Sequence, residues 1–174
     1  MNKETFTFEL IDKYPPEVVI RNMLKQIEEA TRGYVIGNIE KYSGPIFSYT
    51  KGGGWTSLQI ALQPTEVDIQ NNLGAQGTEN YRFEVFLTVK GLEHYRYRMM
   101  FVSYGTVAYP VTIVMNESIA IEYSGKRNTI FDIESMKELE CMLDVIINSK
   151  TMISLIQGLI NESLRQEAEL FNCN

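Results

Sequence analysis

One stretch constrains the fold more than any other: YRFEVFLTVKGLEHYRYRMMFVSY, residues 81 to 104. Tyr81, Phe83, Val85, Leu87 and Val89 alternate with other residues at the period of two that gives a strand one buried face. Tyr95, Tyr97, Met99 and Phe101 repeat the pattern in the next strand. A three-residue loop of Gly91, Leu92 and Glu93 pairs Val89 with Tyr95, Leu87 with Tyr97 and Val85 with Met99, and brings both apolar sets to one side. The spacing therefore predicts a hairpin at the centre of the fold, with Phe83, Val85, Leu87, Tyr97, Met99 and Phe101 inward.

Other elements arrange themselves around this hairpin. ETFTFELI, residues 4 to 11, reads as a first strand, and Pro15 and Pro16 end it. Pro16 suits a first helical turn, and Ile20, Met23, Leu24 and Ile27 recur at helical spacing, which predicts a helix over 16–32 that stops at Gly33. YVIGNIEKY, PIFSYT and WTSLQIAL read as strands, and the polar span from Gln63 to Asn80 as a long functional loop or one that holds a short strand at EVDI. VAYPVTIVM and SIAIEY read as a further hairpin turning at Asn116 and Glu117, with Pro110 marking an edge or irregular strand.

Between residues 134 and 170 the period changes to that of helices. Ser135 and Glu138 form a capping-box pattern ahead of Leu139, Met142, Leu143 and Ile146. Asn148 and Ser149 interrupt, and Met152, Leu155, Ile156, Leu159, Ile160 and Leu164 mark a second helix. Gly158 inside it costs about 1 kcal/mol relative to alanine, so close packing is expected there. The whole predicts an α+β fold in one domain, residues 1–174: a mainly antiparallel multi-stranded sheet with one N-terminal and two C-terminal helices packed on it.

Composition narrows the chemistry. Hydrophobic residues at 44% and charged residues at 22% are globular values, and 174 residues bury a core without metal or disulfide. Cys141 and Cys173 alone make neither a disulfide framework nor a zinc set. The first twenty residues lack a secretory pattern and no apolar run approaches membrane-spanning length, so a soluble cytoplasmic protein is expected. Of the net charge of −6, residues 131 to 174 carry most, with eight acids against three bases, while the strand-rich middle is nearly neutral. Such a balance argues against nucleic acid as partner.

Motifs for catalysis are missing. In TKGGGWTS, Lys51 precedes the glycines and a strand-like run follows, the reverse of a phosphate-binding loop. The stretch reads as a bend that presents Lys51 and Trp55 to a partner. His94 is the only histidine, which removes multi-histidine metal sites, and no nucleophile elbow accompanies it. No catalytic residue, metal ligand or cofactor is therefore assigned. His94, Arg96 and Arg98 alternate onto one strand face as a basic stripe suited to an acidic protein or a phosphate. Glu138 and Glu140, on the acidic helical side, suit a basic protein surface.

These features predict a non-enzymatic module that binds a macromolecular partner through a protein interface. The general character, a small acidic α+β protein without chemical motifs, is shared by bacterial immunity proteins and small phage inhibitors, which implies an inhibitory role. The alternative is a small-ligand or peptide binder using an aromatic-lined sheet, and the third reading is an enzyme without a recognisable motif. Apolar area beyond what one small core covers also allows a homodimer.

Overall fold

The computed structural model describes residues 11–44 and 80–172. Residues 4 to 10 of the first strand expected over 4 to 11, the strands PIFSYT and WTSLQIAL, the glycine bend with Lys51 and Trp55, residues 63 to 79 of the expected loop, and Cys173 lie outside the described residues.

Helix α1, Pro16–Ala30, starts at Pro16 because proline has no N–H to leave unpaired in a first turn. Its apolar face, Val19, Ile20, Met23, Leu24 and Ile27, is buried. Five strands follow: β1, Val35–Lys41; β2, Tyr81–Val89; β3, Leu92–Tyr104; β4, Val111–Met115; and β5, Ile130–Ile133. They form one antiparallel sheet in chain order, β1-β2-β3-β4-β5. Helix α2, Glu117–Ser124, joins β4 to β5, and α3, Met136–Ile147, and α4, Lys150–Asn172, complete the fold. This is the α+β architecture expected.

The helices share one core with one face of the sheet. Val35 of β1, Val85 and Leu87 of β2, Val102 of β3, Ile113 of β4 and Ile133 of β5 line that face and are at most 2% exposed. Leu139, Met142, Leu143 and Ile146 of α3 and Met152 of α4 pack against them.

The β2–β3 hairpin is central, but its register departs from the regular one. Leu87 pairs with Tyr97 as expected and Phe86 with Arg98, yet Val85 pairs with Met100 and Val89 with Leu92. The turn is the two-residue Lys90–Gly91, with Gly91 at positive φ, rather than three residues. A bulge leaves Met99 unpaired between Arg98 and Met100. Met99 and Met100 are both buried, and beyond them the alternation inverts. Val102 and Tyr104 therefore turn inward, and Phe101, expected inward, lies on the opposite face against Tyr42.

Three further expectations need correction, and one strand was not expected. SIAIEY is helical: the Asn116 side chain accepts from the Ser118 N–H as an N-cap, and Gly125, at φ 68°, closes α2 in the left-handed conformation. Its short apolar run fits either period, and the caps decide. The strand at Ile130–Ile133 had no counterpart in the sequence reading; four residues carry too little alternation to be seen. Pro110 lies just ahead of β4, which pairs on both sides and is no edge. Gly158 is exposed, and a β carbon there would meet nothing within 4 Å.

Candidate functional site

Two surfaces gather the chain's distinctive side chains, one on the open sheet face and one among the helices. On the sheet face, Glu40 of β1 and Glu84 of β2 are cross-strand partners, and Phe86 pairs with Arg98 of β3. Arg96, two residues back on β3, reaches the same cluster. Its Nη2 donates to Glu84 Oε1 at 2.6 Å and to Glu40 Oε2 at 3.2 Å, while Arg98 Nε donates to Glu84 Oε2 at 2.9 Å. Each oxygen of the Glu84 carboxylate thus has its own guanidinium, which allows this side chain to be only 8% exposed.

Aromatic rings form the floor of the cluster. The Arg96 guanidinium lies 3.4 Å from the centroid of Phe86, and that of Arg98 lies 5.3 Å from Phe101 and 5.8 Å from Tyr42. Two arginines against two carboxylates leave no local excess of positive charge. Lys90, across the turn, is also compensated, by Glu167 of α4 at 3.1 Å. That contact raises the Lys90 pKa, through its hydrogen bond first and its charge second. His94 is exposed near the turn, apart from these pairs. Sequence reasoning placed the two arginines and missed Glu84, although the Phe86–Arg98 pairing puts Glu84 diagonally beside them.

Glu138 and Glu140 are both exposed on α3, yet they do different things. The Glu138 carboxylate accepts from the Glu134 N–H at 2.9 Å, and the Glu138 N–H donates to Ser135 Oγ at 3.2 Å. Asp12 adds a third cap by accepting from the Met136 N–H at 2.7 Å. Behind this helix start, the Tyr104 hydroxyl donates to Glu17 at 2.5 Å and Tyr109 to the Tyr14 carbonyl at 3.2 Å. Burial, then the bond to Glu17, raises the Tyr104 pKa. Burial, then the charges of Asp12, Glu140 and Glu17, pushes Tyr109 up to about 12. Both phenols are held in the protonated form and act as hydrogen-bond donors.

Among the helices, α1, α3 and α4 leave an open groove of about 480 Å³. Gln26, Ile27 and Ala30 of α1 and its C-cap Thr31 form one wall, and Ile153, Ile156, Gln157 and Ile160 of α4 the other. Ile147 and Asn148 close the end, where α3 stops at the Asn148 cap and Ser149 starts α4 by accepting from the Met152 N–H. None of the ten lining residues is ionisable. Thr31 turns its hydroxyl to the Ile27 carbonyl at 2.8 Å, so it offers little polarity to the groove. The signal for this surface was present in α4, whose apolar residues are too many for one helical stripe.

A second hollow, of about 350 Å³, lies where β1 ends and β2 begins, between Tyr42, Ser43, Tyr81 and Phe83. Among the described residues no three His, Cys, Asp or Glu side chains gather as metal ligands, and no helix is long and apolar enough to cross a membrane. No family model, curated protein or solved structure matches the chain.

Proposed function

We propose that this protein is a non-enzymatic interaction module that binds a macromolecular partner through the groove between α1, α3 and α4. One observation carries the reading: ten lining residues without a charge, in a chain of net charge −6, with Ile153 among them 51% exposed. Interface cores are depleted in charge in this way, and isoleucines left in water are stabilised when a partner covers them. The groove between two helices suits a third helix laid along it. Inhibition, as in immunity-type proteins, is one form that such occupancy takes.

The aromatic sheet face supports a second reading as a small-ligand or peptide binder. Tyr42 and Phe101 pack with ring centroids 4.8 Å apart beside Arg98, which offers an apolar surface next to a fixed donor. Photo-crosslinking separates the two. A photoreactive residue at Ile153 is expected to join a protein in native cells, and one at Arg98 is not. Crosslinks from Arg98 alone would move the site to the sheet and overturn the reading.

A further inference from the structure

Helix α4 carries two apolar stripes: one is buried in the described fold, and the other packs against the core only through Ile160. Met152 and Leu159 are buried in the core, and on the same side the Ser163 hydroxyl donates to the Lys90 carbonyl at 2.6 Å. The second stripe is Ile153, Gln157, Ile160 and Leu164, spaced i, i+4, i+7, i+11, which is the spacing of a heptad seam. Its first three members line the groove, and the end members, Ile153 and Leu164, are 51% and 45% exposed. From Thr151 to Asn161 the helix has no charged residue. Lys150 stands before this span, and Glu162, Arg165, Glu167 and Glu169 after it, of which only Lys150 and Glu167 fall on the line of the second stripe.

We infer that the groove is occupied by α4 of a second copy of this chain, antiparallel, about a two-fold axis between Gly158 and Leu159. The assignment rests on the reading of the groove as a protein interface. Matching the two exposed apolar ends sets the register: Ile153 lies opposite Leu164 of the partner subunit and Gln157 opposite Ile160 of the partner subunit. Lys150 then falls opposite Glu167 of the partner subunit, although nothing in the apolar match required opposite charges to meet. Glu167 is 32% exposed in its pair with Lys90, so it can receive a second cation.

Charge selects this orientation over the parallel one. Parallel helices would set Glu167 against its own copy in an already acidic protein, and would align the helix dipoles. Antiparallel packing avoids both. The seam from 153 to 164 is only about 16 Å long. Gln26 and Ala30 of α1 must add area, and the dimer should be of modest affinity, on the order of 10 µM.

The experiment has two parts, both in the full chain. Analytical ultracentrifugation across a concentration series should show a monomer–dimer equilibrium that Ile153→Glu weakens tenfold or more, with an unchanged circular dichroism spectrum. Register is read with Ile153→Cys and Leu164→Cys, each in a Cys141→Ser, Cys173→Ser background. Mixed, they should form an interchain disulfide; each alone should not, because self-pairing would have to span about 16 Å. Equal crosslinking of each variant with itself would overturn the antiparallel register. A wild type that stays monomeric at every concentration would overturn self-pairing, and if photo-crosslinking from Ile153 still captured another protein, the interface reading itself would stand.

Discussion

Gly37 of β1 lies directly beneath Leu24 of α1: a β carbon at position 37 would sit 2.5 Å from Leu24 Cδ2 and 2.7 Å from its Cβ. Glycine here sets how closely the helix approaches the sheet. Because the second contact is to the root of the leucine side chain, a rotamer change cannot relieve it. Gly37→Ala should therefore destabilise the fold by about 1–3 kcal/mol, the range for overpacking a filled core. Urea unfolding measures it. Leu24→Gly removes both contacting atoms and makes room for the added methyl, so the double variant should lose less than the sum of the singles. Strict additivity would show that the two residues do not meet.

The sheet face yields a second expectation. Glu84 is held by two arginines that are 40% and 47% exposed, so it gains less from them than a fully enclosed pair would give. Removing its charge still leaves a buried group facing two cations. Glu84→Gln should cost about 1–3 kcal/mol. The loss should persist at high salt, since screening reaches a buried carboxylate poorly. A change within about 0.5 kcal/mol, as at ordinary surface positions, would reduce the cluster to surface decoration.

How far the sequence carried these conclusions can be traced through particular residues. Strict alternation in β2 made Phe83, Val85 and Leu87 inward from the pattern alone, and helical spacing did the same for α1 and α3. The bulge at Met99 was invisible because YRYRMMF continues an acceptable alternation in either phase; only packing of both methionines decides, and Phe101 changes face as a result. SIAIEY was ambiguous for the same physical reason, since a short apolar run has no period of its own. Of the candidate surfaces, Arg96 and Arg98 were legible from parity. Glu84 was within reach of the Phe86–Arg98 pairing, and the surplus of apolar residues in α4 was readable; that α1 faces α4 across the groove is a tertiary fact that local spacing does not contain.

Alkaline pH should loosen the junction of α1 with the sheet. Tyr109 is pushed up to about 12, and Tyr104 is raised too, against an ordinary value of about 10. The folded state holds these protons more tightly than the unfolded chain does. Their contribution is thus complete below pH about 10 and is lost as pH rises toward 12. Stability measured by denaturant unfolding should fall across that window, and the slope should be shallower in Tyr104→Phe/Tyr109→Phe, which has no phenol there to ionise. An unaltered slope in the double variant would assign the alkaline loss to other groups.

Finally, the two acids of α3 should separate when reversed one at a time. Glu138 is tied into the start of the helix by its bond from the Glu134 N–H, and its negative charge sits in the first turn, where the helix dipole favours it. Lysine there loses the bond and places a cation against the positive end. Glu138→Lys should therefore cost about 1–2 kcal/mol and speed hydrogen exchange at the Glu134 amide. Glu140 takes no part in that cap, so Glu140→Lys should leave stability within about 0.5 kcal/mol. That makes Glu140→Lys the informative reversal for encounter with a basic partner: slower association with weaker salt dependence would place the acidic helix on the approach path, and unchanged association would exclude it. Equal losses of stability in the two variants would show that the Glu138 bond contributes nothing to the helix start.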